Sequence, residues 1–134
     1  MNNYSSKNRD KYYLKVHLVF VCKCGKQLLI NESLDSKVKE IFKSIESNSN
    51  FTIDIMETDK NHIHLLVSYP PKVSISSIVR RLKQESTITL WKHNPLYLSK
   101  HFWKEHTFWS DGYFACSIGE ANPETIRRYI ENQG

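Results

Sequence analysis

The run Asn61-His62-Ile63-His64-Leu65-Leu66-Val67 constrains the fold more than any other part of the chain. Ile63, Leu65 and Val67 alternate with His62 and His64. A strand that buries the first set therefore turns both imidazoles onto the opposite face of a sheet. Just upstream, Phe51-Thr52-Ile53-Asp54-Ile55 has the same β-branched character and leads by a short turn into the His62 strand. That arrangement predicts an antiparallel hairpin.

The flanking segments extend the pattern. Tyr12 to Val21 alternates as a strand, with Leu14, Val16, Leu18 and Phe20 on one face and Tyr13, Lys15, His17 and Val19 on the other, both partly covered. Lys23-Cys24-Gly25-Lys26 interrupts it as a turn, and Leu34, Val38, Ile41, Phe42 and Ile45 mark a helix over Ser33 to Glu46. Pro70-Pro71 stops the hairpin. Ser74 can then cap a second helix that carries Ile75, Ile78, Val79 and Leu82 inward, leaves Arg80, Arg81 and Lys83 toward solvent, and ends near Trp91. Gly112 to Ile118 reads as a final strand. Asn122 as cap, Pro123 at the first helical position and Glu124 in the first turn specify a last helix over about residues 123–132.

The order β-α-β-β-α-β-α fits an α+β, ferredoxin-like sandwich, an antiparallel sheet with helices on one face and the other face available for a site. With 134 residues and 40% hydrophobic composition, the expectation is one domain over 1–134, its first ten residues flexible. Nineteen Lys and Arg against 14 Asp and Glu give a net charge of +5 and a pI near 9.1, compatible with a polyanionic partner and equally with ordinary solubility charge. No apolar run is long enough for a membrane span and the polar start lacks a signal-peptide core, so a cytoplasmic protein without a membrane partner is expected. Three cysteines then read as reduced thiols, Cys116 as packing.

The last helix carries Tyr129 and Gln133 one turn apart. Two imidazoles and the Gln133 side-chain oxygen would leave open positions on a divalent metal, which suits Mg²⁺ or Mn²⁺ gripping a phosphate more than a closed Zn²⁺ site. Tyr129 would be the nucleophile beside it. A phosphotyrosine link conserves the phosphodiester bond, so a 3′-hydroxyl can later attack it and rejoin DNA without an outside energy source. Taken singly, the histidine pair also suits packing, and the tyrosine a ring half-packed on its helix.

Together these residues carry a resemblance. The strand Tyr13-Leu14-Lys15-Val16-His17-Leu18-Val19-Phe20, the motif Asn61-His62-Ile63-His64-Leu65-Leu66, the segment Trp109-Ser110-Asp111-Gly112-Tyr113-Phe114 and the end Tyr129-Ile130-Glu131-Asn132-Gln133 resemble single-tyrosine HUH transposases of the IS200/IS605 type and the related repeat-associated tyrosine transposases. The resemblance implies a dimeric enzyme that binds hairpins in single-stranded DNA at element ends and cuts beside them through a 5′-phosphotyrosine intermediate. His62, His64 and Gln133 would be its metal ligands and Tyr129 its nucleophile, with active sites that can be shared across the homodimer. The turn Cys22-Lys23-Cys24-Gly25-Lys26-Gln27 departs from the basic or aromatic cluster usual in such relatives.

Arg80, Arg81, Lys83, Lys104 and Arg128 are candidate DNA contacts, or simply solvated charge. Two rival readings compete. Cys22 and Cys24 with His62 and His64 could form a zinc site, although one residue between cysteines is shorter than structural sites favour. A non-catalytic hairpin-binding module could instead stack unpaired bases on Trp103, Phe108 and Trp109.

Overall fold

A computed structural model describes residues 14–117 and 122–133. The expected flexible start and the outer residues Tyr12, Tyr13 and Ile118 of two predicted strands lie outside the described residues. Eight elements follow in order: β1 (Leu14–Val21), α1 (Glu32–Ser47), β2 (Thr52–Asp59), β3 (His62–Tyr69), α2 (Ile75–His93), α3 (Pro95–Ser99), β4 (Phe114–Ser117) and α4 (Pro123–Asn132). Two single 3₁₀ turns, Lys23–Gly25 and Leu28–Ile30, link β1 to α1. The strand order β2-β3-β1-β4, antiparallel throughout, is the ferredoxin-like arrangement expected from sequence.

Each helix on the core side has a local reason to start. The Asn31 side chain accepts from the Leu34 amide at 3.0 Å and opens α1, and Ser74 accepts from the Ser77 amide at 3.2 Å and opens α2. From there Leu34, Val38, Ile41, Phe42 and Ile45 of α1 and Ile78, Val79, Leu82 and Leu90 of α2 are buried against Val16, Leu18, Phe20, Ile63, Leu65 and Val67 of the sheet. Phe20 packs edge-on against Phe42 and Trp109 at ring separations of 6.2 and 5.8 Å. The short α3 was not anticipated; Pro95 at its first turn starts it, and buried Leu98 anchors it.

One irregularity sets up the site. Strand β2 runs four residues beyond the predicted Ile55, and its register on β3 shifts between Ile53 and Ile55. Ile53 packs with the core opposite Val67, whereas Ile55 lies opposite Leu66 on the other face. The shift exchanges the phase of the strand, so Glu57 and Asp59 stand directly opposite His64 and His62. Displaced Asp54 accepts from the Ser68 hydroxyl at 2.5 Å and pairs with Lys15 at 3.3 Å.

Candidate active site

His62 and His64 project from the face of β3 opposite the core, as the alternation predicts. Both are half-buried, while Ile63 and Leu65 between and beyond them are fully buried. The His62 Nδ1 lies 3.0 Å from the Asn61 side-chain oxygen. With Nδ1 donating there, its Nε2 keeps a lone pair for a ligand. The His64 Nδ1 faces the Glu57 carboxylate at 3.6 Å, and its Nε2 is 2.9 Å from Nδ1 of His17. His17 is a diagonal cross-strand neighbour, because Val19 pairs with His64 and His17 with Leu66. The His17 and His64 rings stack at 5.1 Å, 13° from parallel. Burial first, and the nearby His64 second, hold His17 below its ordinary pKa. Burial likewise lowers His62, opposed by Asp59 and aided by His64, so the neutral, ligand-competent imidazole is favoured.

Helix α4 lies over this face. Asn122 accepts from the Glu124 and Thr125 amides at 2.8 and 3.4 Å, with Pro123 beside it, as the sequence specifies. Ile126, Tyr129, Ile130 and Gln133 form the less exposed stripe of the helix, so the Tyr/Gln pair shares the side nearer the sheet. Ile126 joins His62, His64, Glu57 and Asp59 around a hollow of ≈ 590 Å³. The Tyr129 ring lies 5.7 Å from that of Phe114. Its hydroxyl is buried without a hydrogen-bond partner among the described residues, and burial raises its pKa. Gln133 terminates the helix, its amide donating to the Ile130 carbonyl at 3.3 Å. Among the described residues, no three His, Cys, Asp or Glu side chains are gathered to hold a metal. Neither Tyr129 nor Gln133, the third ligand expected from the sequence, lines the hollow at His62 and His64.

The candidate DNA-contact residues separate by environment. Arg80 is exposed beside a larger groove of ≈ 720 Å³ along α2, which neither His62 nor His64 lines. Arg81 pairs with Glu85 at 2.8 Å, Lys104 lies 4.6 Å over the Trp103 ring, and exposed Arg128 faces Glu124 at 3.9 Å. Lys83 corrects the solvent-facing expectation: it is half-buried, and its ammonium donates to three successive carbonyls, those of Ser110, Asp111 and Gly112, at 2.6, 3.2 and 3.0 Å.

The zinc arrangement also fails on geometry. Cys22 continues the core side of β1, is fully buried, and has its thiol pushed up to about 12 by burial, while the histidines face the other way and Cys24 is exposed. A thiol so reluctant to ionise is a poor ligand. Of the aromatics proposed for base stacking, Phe108 and Trp109 are core residues and Trp103 is 87% exposed. Sequence reasoning missed His17, Glu57 and Asp59 as supporters of the histidine pair. The outward alternation on β1 marked the face of His17, but the β2 phase change depends on cross-strand register.

A ferredoxin-like sheet that presents a histidine pair beneath a tyrosine-bearing helix defines the class, and comparison with known proteins makes it specific. The chain belongs to the IS200-like transposase family, whose profile matches residues 10–133. It is 30% identical over 122 residues to the ISDra2 transposase TnpA of Deinococcus radiodurans, covering 91% of this chain and 85% of that one. It is 29% identical over 133 residues to the transposase for insertion sequence element IS200 of Salmonella typhimurium, covering 99% and 85%. A solved transposase structure from Deinococcus radiodurans R1 superposes with a TM-score of 0.84 at 26% identity, over 97% of this chain and 98% of that one. A REP-associated tyrosine transposase, solved bound to a REP hairpin, shares the fold with a TM-score of 0.57 at 15% identity, over 92% and 68%. No helix among the described residues is long and apolar enough to cross a membrane.

Proposed function

We propose that this transposase cleaves and rejoins single-stranded DNA through a covalent 5′-phosphotyrosine link made by Tyr129. The observation that supports the reading is that α4, whose Ile126 lines the hollow at His62 and His64, carries Tyr129 on the same less exposed stripe, its ring against Phe114 of β4. The Tyr129 oxygen attacks the phosphorus of a phosphodiester, the bond to the 3′ oxygen breaks, and the phenolic proton leaves to a base or solvent as the 3′-hydroxyl forms. Reversal by another 3′-hydroxyl rejoins the strand and frees the tyrosine.

In chemistry, two neutral imidazoles and an amide oxygen suit a divalent cation. His62 Nε2, His64 Nε2 and the Gln133 side-chain oxygen would hold it, with Asn61 and Glu57 orienting the two rings. His17 must yield the His64 nitrogen it now meets. Mg²⁺ or Mn²⁺ bound there supplies Lewis-acid polarisation of the phosphoryl oxygen. The desolvated phenol by itself favours its proton, so the tyrosine needs a cationic field at the moment of attack. The family resemblance supports hairpins at element ends as the bound DNA, and a homodimer whose active sites can be shared as the working unit. Exposed Arg80 and Arg128 remain the candidate phosphate contacts.

The test is incubation with labelled single-stranded oligonucleotides from both flanks of its own gene, with and without Mn²⁺, resolved on a denaturing gel. A metal-dependent protein–DNA adduct that Tyr129→Phe abolishes while hairpin binding persists is expected. An adduct in Tyr129→Phe would overturn the nucleophile, and binding without any adduct would favour a non-catalytic hairpin binder.

A further inference from the structure

The Ser110-Asp111-Gly112 segment has no regular secondary structure, yet three of its successive carbonyls point at one ammonium. An ammonium has three donors, so Lys83 is saturated by this loop and has none left for a phosphate. Burial lowers its pKa, and its Nζ sits 5.8 Å from the Phe20 ring centroid, at the edge of the core. The same loop is held from its outer side, where Lys23 reaches the Asp111 carboxylate at 3.3 Å, and from below, where the Ser110 amide donates to the Val21 carbonyl at 2.7 Å.

What rests on this loop is Tyr129. A Cβ added to Gly112 would lie 3.6 Å from the Tyr129 hydroxyl, and Phe114, two residues on, supports the ring. The phenol therefore has its hydroxyl against the loop and its ring against the strand that the loop leads into. We propose that Lys83 is a positioning residue for strand transfer: by tying the carbonyls of Ser110, Asp111 and Gly112 it fixes the seat of Tyr129, and it does not contact DNA. This rests on Tyr129 as the nucleophile. Removing the ammonium leaves three carbonyls short of a donor, so the loop must rearrange and carry the hydroxyl with it. Misplacement of a reacting atom by about 1 Å can cost on the order of 10²-fold in rate.

The experiment compares Lys83→Met, Lys83→Arg and, as an exposed control on the same helix, Lys92→Met in the full chain. Adduct formation with flanking oligonucleotides and Mn²⁺ is expected to slow by at least about tenfold in Lys83→Met. Hairpin affinity and its salt dependence should stay unchanged. Lys83→Arg should restore the rate only in part, because a planar guanidinium cannot converge on three carbonyls as an ammonium does. A phosphate contact would instead weaken binding, reduce the salt slope by about 0.7–0.9, and be rescued by arginine, and that result would overturn the proposal.

Fluorotyrosine labelling adds a readout independent of turnover. Among the seven tyrosines, the ¹⁹F resonance absent from Tyr129→Phe should shift in Lys83→Met and stay put in Lys92→Met. A Tyr129 resonance unmoved in a folded Lys83→Met protein would sink the seating argument. Failure of the wild type to form any adduct would instead reject the nucleophile reading, while the resonance still tests the tie.

Discussion

Helices α1 and α4 begin alike and are held in opposite ways. Both open on an asparagine whose side chain accepts from amides of the first turn. Helix α1 then buries five side chains in the core across its 16 residues. Helix α4 has ten residues, buries none completely, and holds its own turns with Arg127, which pairs with Glu124 and with Glu131 at 3.2 Å. Stability of the first is global, shared with the sheet, whereas that of the second is local. The candidate nucleophile thus rides on the helix that contributes least to the core, and folding and activity become separable by mutation.

The largest effect tests the core side. Phe42→Ala removes a fully buried ring packed against Phe20 and Trp109, and should cost about 3–5 kcal/mol of unfolding free energy. Chemical denaturation monitored by tryptophan fluorescence measures it. A loss below about 1 kcal/mol would mean that α1 is not the anchor described.

A smaller effect should appear on the other side. Asn122→Ala removes the cap of α4 and should weaken that helix by about 0.5–2 kcal/mol. Because no α4 side chain is fully buried, the global midpoint should barely move, while hydrogen exchange of α4 amides accelerates and adduct yield falls. A drop in the global midpoint as large as that of Phe42→Ala would erase the distinction between the helices.

How much of this was legible in the sequence differs between the same two regions. The face of β3 that carries the histidines follows from strict alternation, and the span of α1 follows from Leu34, Val38, Ile41, Phe42 and Ile45 at helical spacing. The start of α4 was legible because Asn122, Pro123 and Glu124 act on their own turn. What escaped depends on partners distant in the chain. Glu57 and Asp59 reach the histidines through a register shift that no local pattern announces. His17 meets His64 only after β1 is laid beside β3. Lys83 sits in a basic run that reads as a solvated helix face, and only tertiary packing brings carbonyls 27 to 29 residues away onto its ammonium.

The smallest predicted effect concerns the sheet face under α4, where two histidines have lowered pKa values, whereas burial pushes Cys22 and Tyr69 of the core upward, away from neutral pH. His17 and His62 are both held below the ordinary histidine value of 6.5, by burial first in each case. Around them stand His64, Glu57, Asp59 and Asn61. In the unfolded chain the two histidines take up protons near pH 6.5, whereas in the folded protein they do so only at lower pH. Below about pH 6.5 the unfolded state therefore binds more protons, and stability declines as pH falls until the lowered folded values are passed. Melting temperature measured without metal from about pH 7.5 to about pH 5.5 should fall for the wild type, and less steeply for a His17→Gln, His62→Gln double variant. Metal affinity should weaken over the same interval, since ligation needs the neutral ring. An equally steep fall in the double variant would place the titration elsewhere, and would remove the electrostatic half of the contrast between the two faces.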